Sequence, residues 1–107
     1  MKVDIQTIDF KPDRKLKASL QKKLDRYGEK YPWVVGAEVY LKALNTPDGV
    51  NKQVELKLNI PGNDLFVKVI DDRFIKAIDQ ADEVMLRQLK KFKEKDLIKP
   101  RVNPMKG

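Results

Sequence analysis

The stretch QVELKLNIPGNDLFVKVI at residues 53–70 decides the fold, because apolar and polar residues alternate on both sides of a turn. Valine, leucine and isoleucine occupy every second position over residues 54–60, and the alternation resumes over residues 65–69. Side chains along a strand point alternately to the two faces of a sheet, so this pattern predicts two strands with one buried face. The Pro-Gly-Asn connection at residues 61–63 predicts that they form an antiparallel hairpin.

Two more strands are predicted on the amino-terminal side of this hairpin. The segment VVGAEVYLKAL at residues 34–44 alternates in the same way, and the turn-rich residues 45–49 connect it to the hairpin. The last three strands therefore predict an antiparallel meander. Residues 3–8 alternate over a shorter distance and predict a first strand with one buried face.

Two helices are predicted from apolar residues that recur at steps of three and four. The first runs from a cap at Asp13 to about Lys30, and the second runs from a cap at Asp72 to about Lys95. The element order is therefore β-α-β-β-β-α. Because helices and strands do not alternate strictly, this order predicts an α+β domain with both helices packed on one face of a four-stranded sheet.

The composition indicates one small basic domain and excludes several kinds of catalysis. The chain has 107 residues, a net charge of +7, no cysteine, no histidine and a single serine, Ser19. Thiolate zinc sites, disulfides, imidazole bases and Ser-His-Asp triads are therefore unavailable, and we expect no enzyme activity, metal or cofactor. We expect a domain over residues 1–95 and a flexible basic tail at 96–107. Without a signal sequence or a membrane span, the protein is expected to be cytoplasmic, and a monomer when free.

The positive charge is concentrated towards the two ends of the sequence. Residues 34–70 carry four basic and four acidic side chains, whereas residues 86–107 carry eight basic and two acidic ones. At about 100° per residue, the basic residues project beside the apolar stripe of the first helix and opposite that of the second. They are Lys15, Lys22, Lys23, Arg26 and Lys30 on the first helix, and Arg87, Lys90, Lys91 and Lys95 on the second.

Two basic helix faces favour a polyanion as partner, although one such face alone is equally typical of a solvated helix surface. Lysine and arginine neutralise phosphates and release counterions, so a few positioned side chains suffice for salt-sensitive binding to a structured RNA. The adjacent carboxylates of Asp71 and Asp72, and of Asp82 and Glu83, are more typical of helix capping and solvation than of a metal site.

The aromatic residues are compatible with packing or with base stacking. Tyr27, Tyr31 and Trp33 lie around the junction of the first helix with the following strand, where aromatic side chains more often pack in the core or at its rim. Phe66 and Tyr40 fall on the polar side of their strands and are expected on the open face of the sheet. The glycine-flanked aromatic motif of single-strand RNA readers does not accompany them.

The sequence resembles the ribosome hibernation-promoting factors, a family that includes the ribosome-associated inhibitor of translation. The resemblance rests on KLKASLQKKLDRY at residues 15–27, VELKLNIPGNDLFVKV at 54–69 and AIDQADEVMLRQLKKFKEK at 77–95. The last segment is its most specific part, and the resemblance extends over about residues 1–95. Long members of the family append a second domain that joins two ribosomes, and this chain is too short to contain such a domain.

The resemblance implies a fold similar to a double-stranded-RNA-binding domain and a stress or stationary-phase factor that binds the small ribosomal subunit and its rRNA. The implied place is the channel between head and body, where the factor excludes messenger RNA and the A- and P-site tRNAs and so inhibits translation. Basic residues of both helices contact rRNA in the family. The matching positions are Lys17, Lys23, Arg26, Arg87, Lys90 and Lys91, with Lys17 on the other flank of the apolar stripe from Lys23 and Arg26. Together with the helical projection, they give the predicted rRNA-binding set: Lys17, Lys22, Lys23, Arg26, Lys30, Arg87, Lys90, Lys91 and Lys95.

Two other functions stay open on the sequence alone. The first is a generic double-stranded-RNA-binding module, which the same charge and a similar fold would support. The second is a regulatory module that binds a protein partner through its open sheet face or the apolar residues of its tail. Competition by a free RNA duplex distinguishes the first from a ribosome-specific factor. Charge reversal at Arg87, Lys90 and Lys91 distinguishes the second, because it removes RNA binding and leaves a protein contact on the sheet intact.

Overall fold

The computed structural model describes residues 1–94, and in it four strands form one mixed sheet in the order β1-β2-β3-β4. The strands are β1 (Lys2–Ile8), β2 (Gly36–Ala43), β3 (Lys52–Ile60) and β4 (Asn63–Asp71). β2, β3 and β4 pair antiparallel, which confirms the predicted meander. β1 pairs with β2 in parallel, so the chain crosses over between them through a helix.

The crossover helix, α1 (Arg14–Lys30), has the predicted bounds and the predicted cap. The amide of Leu16 donates a hydrogen bond of 2.7 Å to the Asp13 carboxylate, which satisfies one of the amides that the first helical turn leaves without a partner. The amide of Tyr31 donates to the carbonyl of Tyr27 and closes the last turn. The side-chain signal at its start and the proline two residues past its end thus define this helix well.

The second helix, α2 (Phe74–Phe92), begins differently from the prediction. Arg73 occupies the cap position and makes no side-chain capping hydrogen bond, so the predicted cap at Asp72 is wrong. Asp72 lies one residue too early, and its carboxylate accepts a hydrogen bond of 2.9 Å from the Lys76 ammonium instead. The predicted end at Lys95 and the predicted tail at 96–107 lie outside the described residues.

Both helices pack on the same face of the sheet, and the core lies between the two layers. The register aligns apolar residues across the strands, with Val39 beside Leu56 and Leu56 beside Val67. Leu24 from α1 and Met85 from α2 are completely buried against this face, and within residues 1–94 every buried residue is apolar apart from two tyrosines. Burying a large apolar side chain stabilises a fold by roughly 1.5–3 kcal/mol, so this single layer of contacts fixes the positions of both helices.

Aromatic side chains close one end of the core, as the sequence indicated. Trp33 packs between Tyr31 and Phe92, with ring centroids 5.3 and 5.0 Å away. The opposite face of the sheet is open to solvent, and Phe66 is half exposed on it. The open face carries mixed charges, so the basic surfaces of the molecule belong to the helical layer.

Candidate nucleic-acid interface

A groove runs between the carboxyl-terminal half of α1 and the middle of α2. Arg26, Glu29 and Lys30 line it from α1, and Leu86 lines it from α2, around a volume of about 390 Å³. The Lys30 ammonium lies 5.7 Å from the centroid of the Tyr31 ring, at the end of α1. The α1 wall of the groove thus carries two cationic side chains and one carboxylate, Glu29, opposite the apolar side chain of Leu86, and the two cations can contact the backbone of a nucleic acid.

Two ion pairs join α1 to α2, and one of them involves Arg26 of the groove. Lys23 Nζ lies 3.2 Å from Asp79 Oδ1, and Arg26 Nη2 lies 3.2 Å from Asp82 Oδ2. Both pairs join residues 56 positions apart, as expected for two helices that run in the same direction. Two of the predicted rRNA-binding residues are therefore partners of carboxylates on α2.

Asp82 is the centre of this arrangement. The hydroxyl of Tyr27 donates a hydrogen bond of 2.5 Å to Asp82 Oδ1, while Arg26 donates to the other carboxylate oxygen. The Asp82 side chain is 13% exposed, against 56% for Arg26. The expectation that Asp82 is merely solvated is therefore wrong, because its carboxylate is shielded and bound by two donors from α1. Glu83, the next residue, is exposed as expected.

The protonation state of Tyr27 follows from its position. Burial raises the pKa of the Tyr27 hydroxyl far above its ordinary value of 10.0, and the hydrogen bond to Asp82 and the negative charge of that carboxylate raise it further. The hydroxyl therefore remains a donor across the physiological pH range. The contact between α1 and α2 therefore includes a directional hydrogen bond in addition to apolar packing.

The other predicted basic residues within residues 1–94 are exposed to solvent. Among the members of the set in that range, only Lys23 and Arg26 form an ion pair with a carboxylate of residues 1–94. The exposed residues of the set with no such pair are Lys17, Lys22, Lys30, Arg87, Lys90 and Lys91, and Lys95 lies outside the described residues. The structure thus brings Arg26 and Lys30 to the groove and leaves Arg87, Lys90 and Lys91 on exposed positions of α2.

Sequence reasoning missed the two carboxylates that contact α1. Asp79 and Asp82 are three residues apart on α2, and Lys23 and Arg26 have the same spacing on α1. Matching i, i+3 pairs of opposite charge next to two apolar stripes are a usable signal for neighbouring helices. This signal can be interpreted only if the two helices lie side by side. The sequence predicted that both pack on one face of the sheet, but it did not predict that they are neighbours.

Other kinds of site find little support in the part of the chain that the structure describes. Within residues 1–94, no three acidic side chains come together as metal ligands. Neither helix in that range is long and apolar enough to cross a membrane. The interhelical groove and the exposed basic residues beside it are therefore the candidate site.

Comparisons with known proteins agree with this fold. The model of a family described as "Sigma 54 modulation protein / S30EA ribosomal protein" matches residues 3–96. Among solved structures, the chain is similar to a ribosomal subunit interface protein from Coxiella burnetii, with 18% identity and a TM-score of 0.75 over 87% of this chain and 98% of that one. It is also similar to the N-terminal domain of Thermus thermophilus Protein Y, with 22% identity and a TM-score of 0.70 over 86% of this chain and 99% of that one. No curated protein sequence gives a significant match.

Proposed function

We propose that this chain, which belongs to the Sigma 54 modulation protein / S30EA ribosomal protein family, binds the small ribosomal subunit in the decoding channel between head and body. The family membership makes the chain a ribosome-associated hibernation and translation-regulating factor. The finer proposal is that it excludes messenger RNA and the A- and P-site tRNAs by occupying their place.

The observation that carries the proposal is the distribution of exposed basic residues over the helical layer. Arg87, Lys90 and Lys91 are exposed on α2, and Lys30 lines the interhelical groove together with Leu86 of α2. The charges of the sheet balance, since residues 34–70 hold equal numbers of basic and acidic side chains. A polyanion is therefore attracted to the helices and not to the open sheet face.

The proposed mechanism is steric and non-enzymatic. Phosphate neutralisation by the basic side chains supplies affinity, and the fit of a rigid two-layer domain into the channel supplies selectivity. An idle ribosome in the cytoplasm then retains both subunits but cannot accept new messenger RNA or tRNA. The predicted residues Lys17, Lys22, Lys23, Arg26 and Lys95 are proposed as further rRNA contacts.

Co-sedimentation with purified small subunits tests the proposal. The variant Arg87→Gln/Lys90→Gln/Lys91→Gln should bind more weakly, and its dependence of log affinity on log salt should be shallower by roughly 2–3, since each phosphate contact contributes roughly 0.7–0.9. The matched control Lys42→Gln/Lys57→Gln/Lys68→Gln removes the same charge from the open sheet face and should bind like the original chain. Equal losses in both triple variants would refute a localised basic interface.

Competition distinguishes steric exclusion from general RNA binding. Prior loading of the subunits with messenger RNA and tRNA should prevent association, whereas a free RNA duplex at the same phosphate concentration should not. Association that is unaffected by occupied decoding sites would refute the exclusion mechanism. Efficient removal by the duplex would favour a generic double-stranded-RNA-binding module.

A further inference from the structure

We infer that Asp82 is a positioning residue for RNA binding, which holds Arg26 on the wall of the interhelical groove, and that Asp79 on the same helix opposes binding. The inference rests on the proposed function, because it assigns roles within the same basic surface. It concerns two carboxylates of identical charge, three residues apart, whose surroundings differ.

The surroundings of Asp82 fix its carboxylate in place. Its side chain is 13% exposed, and its two oxygens accept hydrogen bonds from Tyr27 and Arg26. The Tyr27 ring is buried in the core, so this donor cannot move without disturbing the packing of α1. The carboxylate is therefore a fixed anchor, and its charge is already balanced by an adjacent guanidinium.

The Asp82 carboxylate holds Arg26 in place but leaves more than half of the Arg26 side chain exposed. Its Nη2 atom donates to Asp82, while 56% of the side chain remains exposed and the residue lines the groove with Lys30. A guanidinium has five N–H donors in a rigid planar fork, so the donors that Asp82 does not use can bind a phosphate. Holding the side chain in advance reduces the conformational entropy that binding would otherwise remove.

Asp79 has the opposite surroundings. Its side chain is 61% exposed, and the Lys23 ammonium 3.2 Å away is its single ion-pair partner within residues 1–94. The Lys23 side chain is 22% exposed, but its partner lies largely in solvent, where an ion pair contributes little to stability, so Lys23 can exchange Asp79 for a phosphate. The carboxylate that it leaves is then unpaired beside the RNA backbone and repels it. Asp79 therefore lowers the affinity of the surface that Asp82 organises.

Opposite effects of the same charge change follow from these roles. Asp79→Asn should tighten binding to purified small subunits about twofold, as expected when one exposed repulsive charge is removed. Asp82→Asn should weaken binding by about three- to tenfold, since loss of pre-organisation of one long side chain has this size. The control Glu55→Gln changes the net charge equally on the open sheet face and should leave the affinity nearly unchanged.

A double-mutant cycle tests whether Asp82 acts through Arg26. In an Arg26→Gln background, Asp82→Asn should no longer weaken binding, because no guanidinium remains to be positioned. Tyr27→Phe removes the other donor to Asp82 but keeps the Arg26 pair. It should lower the thermal midpoint and weaken binding by less than Asp82→Asn does, because Arg26 still has its carboxylate partner.

Four results would overturn the inference. Tighter binding by Asp82→Asn, in parallel with Asp79→Asn, would show that only net charge matters. A weakening by Asp82→Asn that persists in the Arg26→Gln background, or an equal weakening by Tyr27→Phe, would show that a loosened helix pair is responsible. If the unmodified chain does not bind small subunits at all, the proposed function fails and the inference fails with it, whereas the first three results leave the proposed function standing.

Discussion

Replacing Tyr27 by phenylalanine removes a single hydroxyl group from the joint between α1 and α2. The ring is buried and keeps its packing in the variant, so the change isolates the hydrogen bond of 2.5 Å to the Asp82 carboxylate. Hydrogen bonds to charged groups contribute roughly 1.5–3 kcal/mol to stability. Asp82 retains Arg26 as a partner in the variant, and we therefore expect a loss near the lower end, about 1.5 kcal/mol at neutral pH.

The same hydroxyl gives this loss a defined pH dependence. The pKa of Tyr27 in the folded protein lies far above its ordinary value of 10.0, so above pH 10 the unfolded chain releases this proton while the folded chain keeps it. The unfolded state then binds fewer protons, and the free energy of unfolding falls as the pH rises. The fall for one such group is about 1.4 kcal/mol at pH 11, a full unit above that value. Tyr27→Phe lacks this contribution, so its deficit should nearly vanish near pH 11.

Urea denaturation at a series of pH values from 8 to 11 measures this convergence. The control is Tyr40→Phe, whose hydroxyl lies on the solvated sheet face beside Glu38. The Glu38 carboxylate raises the pKa of Tyr40 too, but the site is open to solvent, and the control should converge much less. Two parallel curves for the original chain and Tyr27→Phe over this range would refute the argument, because they would mean that Tyr27 ionises equally easily in both states.

Two further substitutions test the fold that positions the helices. Asp13→Ala should reduce the free energy of unfolding by about 1 kcal/mol in urea, since its carboxylate caps α1, and an unchanged midpoint would contradict that role. Gly36→Ala should be mildly destabilising, because its Cβ would lie 2.6 Å from Asn59 Oδ1 and this side chain would have to move away from its hydrogen-bond partners Glu38 and Asp64. Adding Asn59→Ser should recover most of that loss in a double-mutant cycle, and strict additivity would show that the clash is not the cause.

The features that the sequence predicted correctly depend on local periodicity. Alternation over residues 53–70 gives the β3-β4 hairpin and its buried face, and the steps of three and four around Leu24 give α1 with its inner side. Such periods report which side of an element is apolar. They do not report which element lies beside it, and so the parallel pairing of β1 with β2 could not be derived from residues 3–8.

The errors have the same origin at the level of single side chains. Asp72 was expected to cap α2, but the helix begins one residue later and a nearby ammonium, on Lys76, binds the carboxylate. Asp82 was expected to be solvated because it and Glu83 are neighbours on a helix and therefore project in different directions. Its partners are 55 and 56 residues away in sequence, and only the packing of α1 against α2 brings them within hydrogen-bond distance.

Because of these interhelical contacts, the number of basic side chains alone does not set the affinity of the helices for RNA. A phosphate that approaches Lys23 must compete with a carboxylate already present, so this lysine releases fewer counterions than an unpaired one. Arg26 keeps its carboxylate and offers its remaining donors, so it contributes through geometry more than through added charge. The salt dependence of RNA binding should therefore be shallower than the number of basic side chains on the two helices implies. Because the carboxylates of α2 set this difference, the affinity of the surface depends on the packing of its helices as well as on its composition.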